Sequence, residues 1–103
     1  MAKFDESSTR LRVELGMPKF NGSVVVFYKT KGTAAIEQTN LFFKSKPVEI
    51  ALSDIETVRL VKASSSAYPQ IVMKSGKRYS LASFAAEDAQ KAVPRMVSFL
   101  AGS

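Results

Sequence analysis

The sequence predicts a mainly β domain with one C-terminal α-helix, and a change of rhythm along the chain carries that prediction. Between residues 10 and 81 apolar residues alternate with polar ones or gather in short β-branched runs, interrupted every few positions by turn residues. From residue 85 the period lengthens: Ala85, Ala89, Ala92, Val93, Met96, Phe99 and Leu100 fall at helical spacing. About seven or eight short strands in an antiparallel meander are expected before the helix.

The elements follow in order. Residues 1–9 (MAKFDESST) show no periodicity and read as a flexible lead-in, so a single domain is expected over residues 10–103. Residues 10–15 alternate, with Leu11, Val13 and Leu15 on one face. Gly16-Met17-Pro18 interrupts them, and Asn21-Gly22 is a strong turn signal. Residues 23–29 (SVVVFYK) are dense in β-branched and aromatic side chains and read as a central strand. A turn at residues 29–32 leads to a short strand at 33–37, a turn at Thr39-Asn40, another strand at 41–44 and a turn at 45–47.

Residues 48–52 alternate again, with Val48, Ile50 and Leu52 together. Ser53-Asp54 suits a corner, since both side chains bond nearby backbone amides. Residues 56–62 form the next strand, with Val58 and Leu60 inward, and residues 63–69 (ASSSAYP) read as a loop. Residues 70–74 and 78–81 flank Ser75-Gly76-Lys77 as a hairpin. The helix carries Glu87 and Asp88 near its start and Arg95 near its end, as the helix dipole prefers, and Gly102 suits its stop. Pro94 conflicts with the helical pattern and predicts either a kink near Gln90 or a second helix starting at Pro94.

Composition narrows function by what it lacks. The 103 residues contain no cysteine and no histidine. Disulfides, thiolate metal sites and a Ser-His-Asp triad are therefore excluded, together with the commonest base near neutral pH. The carboxylates form no convincing pair, and the five glycines are dispersed as turn residues rather than gathered in a phosphate loop. The expectation is a protein that binds rather than catalyses, with no cofactor and no metal. No apolar run spans a membrane, and the first ten residues hold no signal-peptide core, so a cytoplasmic location is the default.

Residues 33–61, TAAIEQTNLFFKSKPVEIALSDIETVRLV, together with the later IVMKSGKRYSLASF hairpin, resemble the pleckstrin-homology superfamily in its GRAM and bacterial PH-like forms. The resemblance rests on Thr39-Asn40, on the apolar strand at Leu41 and Phe43, and on Leu52-Ser53-Asp54-Ile55. It implies a strongly bent antiparallel sheet or partial barrel with the helix plugging one open corner. Modules of this kind bind phosphoinositides, peptides or other folded domains. Phosphoinositide-binding members concentrate bases in a Lys-x(n)-Lys-x-Arg pattern on the first hairpin, where this chain offers only Lys19. That departure ranks lipid low.

Two surfaces compete for the binding role. With 15 basic and 9 acidic residues, the chain carries a net charge of +6, which draws anions. Lys29, Lys31, Lys44 and Lys46 sit at two tips expected at one end of the meander, where they would form an anion-binding rim. Lys74, Lys77 and Arg78 form a second basic tip, expected at the other end. Aromatic residues lie beside these bases, at Phe27-Tyr28, Phe42-Phe43 and Tyr79, the combination used in stacking on single-stranded nucleic acid. The strand at 24–28 is apolar on both sides, so Val24, Val26 and Tyr28 offer a partner or self-association surface if no element covers them. Protein contact, as an adaptor, inhibitor or assembly subunit, is the leading expectation. Binding of a phosphate-rich ligand is the alternative, with single-stranded nucleic acid ahead of anionic phospholipid.

Overall fold

Eight strands and one long helix realise this periodicity in a computed structural model, which describes residues 2–17, 21–39, 46–64, 66–82 and 86–102. Strands β1 (Lys3–Glu6), β2 (Arg10–Met17), β3 (Asn21–Tyr28), β4 (Thr33–Thr39) and β5 (Val48–Ala51) form an antiparallel sheet in sequential order. Strands β6 (Ile55–Lys62), β7 (Ala67–Met73) and β8 (Arg78–Ser80) form a second antiparallel sheet, also in sequential order. A 3-10 turn at Leu52–Asp54 joins the two sheets where the Ser53-Asp54 corner is expected, and helix α1 (Ala86–Ala101) follows β8. The protein is thus mainly β, with two open sheets and one C-terminal helix.

Besides the break at Gly16-Met17 and the turn at Asn21-Gly22, which instead lie in β2 and β3 and pair with one another, three expectations need correction. Residues 3–6 are not a lead-in: they pair with β2 from Lys3↔Glu14 to Glu6↔Leu11. Phe4 packs on the core, and the ion pairs Arg10–Asp5 and Arg95–Glu6, both 3.2 Å, tie the strand to its neighbours. Four residues hold too few apolar positions to show a period, so only the tertiary contacts reveal the strand. Secondly, the loop expected to reach Pro69 ends earlier, because Ala67 and Pro69 are buried within β7. Pro69 pairs with Leu81, one residue past the end of β8, where its missing N–H interrupts no regular ladder. Thirdly, of the two alternatives at Pro94 the second helix is not formed: α1 runs unbroken from Ala86 to Ala101. Pro94 lies on its exposed side, as does Gln90, whose carbonyl is the one a Pro94 N–H would have bonded. The strand expected at 41–44 lies outside the described residues, as does Lys19.

Alternation decides what is inside. Leu11, Val13, Leu15, Val25, Phe27, Ala34, Ile36 and Ile50 point from the larger sheet toward Val58, Ile71 and Met73 of the smaller one. The helix packs Ala92, Met96 and Phe99 against β2, β6 and β7. Phe27 and Phe99 meet with ring centroids 6.3 Å apart. Of the polar side chains buried among the described residues, Ser23, Gln70 and Asp88, the most deeply buried is Ser23. Ser23 Oγ donates to Gln38 Oε1 at 3.2 Å and accepts the Ala82 N–H at 2.7 Å, tying the larger sheet to the chain leaving β8. The helix ends where Gly102 N–H bonds the Ser98 carbonyl. Among the described residues no helix is long and apolar enough to cross a membrane.

Candidate functional site

The end of one sheet, rather than a face, offers the best-formed binding geometry. Strand β6 is an edge, with β7 on one side and no strand on the other among the described residues. Its backbone polarity follows from Pro69. The Pro69 carbonyl accepts the Leu81 N–H, so the peptide groups of Pro69 face β8. Leu60, opposite Pro69, is therefore a non-bonded position of the β6–β7 ladder, and its N–H and C=O point to the open edge. By the period of two, Val58 and Lys62 do the same, while Arg59 and Val61 bond β7. The Val58 carbonyl also accepts a long bond, 3.4 Å, from Thr57 Oγ1.

Beside this edge runs a groove of about 400 Å³ between β6 and the end of the helix. Leu52, Ile55, Val58, Val97 and Leu100 give it apolar walls. Val97 is 43% exposed, one of two large apolar side chains so placed among the described residues. A bulge between Ile55 and Thr57 twists the start of β6.

The outer face of the smaller sheet carries a polar row absent from the sequence-based expectations. Arg59 Nε and Nη2 both donate to Gln70 Oε1, at 3.0 and 2.7 Å, and Gln70 Nε2 donates to Ser80 Oγ at 3.1 Å. The row follows from the register Arg59↔Gln70↔Ser80. Gln70 is 7% exposed beneath the arginine. The only sequence signal was a polar Gln70 between the buried Pro69 and Ile71, which marks the outer face of β7 without naming its neighbours.

The expected lysine rim is not assembled among the described residues. Lys29 Nζ lies 4.4 Å from the centre of the Phe99 ring, at the negative end of the helix dipole. Lys31 Nζ lies 5.1 Å from the Tyr28 ring centre. Strand β4 pairs directly with β5, with Ile36 opposite Val48, so Lys46 enters from the end away from the Lys29–Lys31 turn. Consecutive turns of a meander lie at opposite ends, which is the physical reason. Lys44 lies outside the described residues.

The second basic tip is instead the neighbour of the first. Leu52 N–H bonds the Gly32 carbonyl and Lys74 N–H bonds the Asp54 carbonyl, both at 2.8 Å, so one 3-10 turn links them. Lys74 and Lys77 line a crevice of about 410 Å³ opposite Glu49, with Lys77 Nζ 5.3 Å from the Tyr79 ring centre. Arg78 is exposed on the outer face.

Val24, Val26 and Tyr28 are half-buried and face away from the core. Cross-strand neighbours shield them in part: Val24 lies between Glu14 and Glu37, Val26 between Arg12 and Ala35. Among the described residues no group of three potential metal ligands occurs. No family model, curated protein or solved structure matches the chain.

Proposed function

We propose that this chain is a non-enzymatic, PH-like binding module whose working surface is the open edge of β6, which takes up an extended segment of a partner protein. One observation carries the reading: an eight-residue strand with unpaired backbone groups borders an apolar groove. Added strands gain affinity from main-chain hydrogen bonds and specificity from pockets for alternate side chains; the open edge of β6 and the groove beside it support that mode here. The PH-like assignment draws support from the order of elements, two antiparallel sheets and then one helix.

The test uses short extended peptides alternating valine with serine, followed by amide hydrogen exchange. In the free protein the Val58 and Leu60 amides exchange quickly, and bound peptide protects them. Leu60→Pro keeps the ladder to β7, because the N–H it removes faces outward, yet abolishes binding. Unchanged exchange at Val58 and Leu60 under excess peptide sinks the proposal.

A second reading has its own support. Arg59, Lys62, Lys74, Lys77 and Arg78 make no ion pair among the described residues, so this half of the molecule presents cations free to meet an anionic ligand. Single-stranded nucleic acid is the ligand class that fits. Its affinity for labelled oligonucleotide should fall steeply with salt; no binding at low salt removes it.

A further inference from the structure

The guanidinium of Arg59 is oriented as well as exposed, and its orientation says what the added strand should carry. A planar guanidinium has five N–H donors. Two of them, on Nε and Nη2, are committed to Gln70 Oε1, which lies on the β7 side. Because the group is planar, turning its Nε–Nη2 side toward Gln70 turns Nη1 away from Gln70, leaving it free for a group brought in beside β6. Three N–H donors remain, two on Nη1 and one on Nη2. No carboxylate pairs with Arg59 among the described residues, and Gln70 holds its own place through Ser80.

The register of strand addition then fixes a pattern. Residues directly opposite one another in a sheet share a face. Partner residues opposite Val58 and Leu60 point inward, the first of them into the groove beside Val97 and Leu100. The residue between them lies opposite Arg59 on the outer face. We infer that the segment bound by β6 is an acidic-apolar alternation, apolar–Asp/Glu–apolar, with its carboxylate on the free donors of Arg59. This inference rests on the strand-addition reading and adds the chemistry of the occupant to it. Charge supports the same occupant: residues 55–82 hold five bases (Arg59, Lys62, Lys74, Lys77, Arg78) and one acid, Glu56. A second copy of the chain fits poorly. Two β6 edges pairing antiparallel with matched hydrogen bonds set Thr57, Arg59 or Val61 opposite Arg59, never a carboxylate.

The experiment compares two labelled peptides that differ only at the central position of Val-Glu-Val against Val-Gln-Val, by fluorescence anisotropy. The glutamate peptide should bind roughly tenfold more tightly, in line with a charge-assisted pair. Arg59→Gln should remove that difference and leave the glutamine peptide unaffected. Arg59→Lys should restore only part of it, because lysine lacks the planar fork that Gln70 orients. Lys62→Gln should preserve it. Equal affinity for the two peptides in the native protein overturns the carboxylate pairing while strand addition stands. Equal losses with Arg59→Gln and Lys62→Gln reduce the effect to diffuse charge and overturn it as well. Binding of neither peptide removes both readings together.

Discussion

The two sheets are built alike and finished differently. On the larger sheet, part of the charge is neutralised at short range. Arg12 pairs with Glu14 at 3.0 Å, Arg10 with Asp5 at 3.2 Å, and Glu6 with Arg95 of the helix. On the smaller sheet no cation has a carboxylate partner among the described residues, and the one ordered arginine is held by a neutral amide. Exposed ion pairs add little stability, roughly 0–1 kcal/mol each, so the difference is not one of strength. It is one of field. A self-paired surface presents little net potential, whereas Arg59, Lys62, Lys74, Lys77 and Arg78 leave theirs open to a ligand. The edges differ too. β1 at the margin of the larger sheet is short and charged, which discourages pairing. β6 is twice as long and borders an apolar groove.

Substitutions can break this comparison in a graded way. The largest effect belongs to the inner face of the larger sheet: Phe27→Ala should cost about 3–5 kcal/mol in denaturant unfolding, because the ring is fully buried against Phe99. Val26→Ala on the opposite face of the same strand should cost about 1 kcal/mol or less. Equal losses would mean that an unrecognised element covers the outer face. Next comes the tie between the sheets. Ser23→Ala removes the acceptor of the Ala82 N–H and should cost about 1–3 kcal/mol, whereas Ser23→Thr, which keeps the hydroxyl, should recover part of it. A loss confined to the tenths would show that water replaces the hydroxyl.

Smaller still are the surface charges. Arg12→Gln should change stability by about 1 kcal/mol or less, and Lys62→Gln should change it by a few tenths. Both variants lose one positive charge, so net charge does not separate them; the salt dependence of stability should, because only Arg12→Gln breaks an ion pair. Last, Lys29→Met should lower stability modestly, by roughly 0.5–1 kcal/mol, because the ammonium rests on the Phe99 ring at the helix end. A gain in stability would restore Lys29 to the role of a solvent-facing ligand contact.

Much of the architecture was legible in residue order. The alternation of Leu11, Val13 and Leu15, and of Val58 and Leu60, correctly placed strand faces, because a period of two is a local property. The Ser75-Gly76-Lys77 tip and the Leu52–Asp54 corner were legible for the same reason, since turns are set by neighbouring residues. β1 was not legible, because its stability comes from Phe4, Arg10 and Arg95, contributed by three elements. Of the candidate site, Val24, Val26 and Tyr28 were placed on the outward face as expected. Lys46 lies apart from Lys29 and Lys31 because the rim depended on counting turns before residue 48, and the direct pairing of β4 with β5 changes that count.

By itself, then, the sequence determined that this is a β protein with a C-terminal helix, which residues line each face, and that histidine and cysteine chemistry are absent. These are properties of composition and of short-range periodicity. Only the tertiary structure decided which strand is left as an edge, which lysine is spent on the helix end, and that Arg59, Gln70 and Ser80 share one row. Those outcomes depend on the order of strands and on their register, and residues 11 and 10 positions apart in the chain meet only once both are fixed.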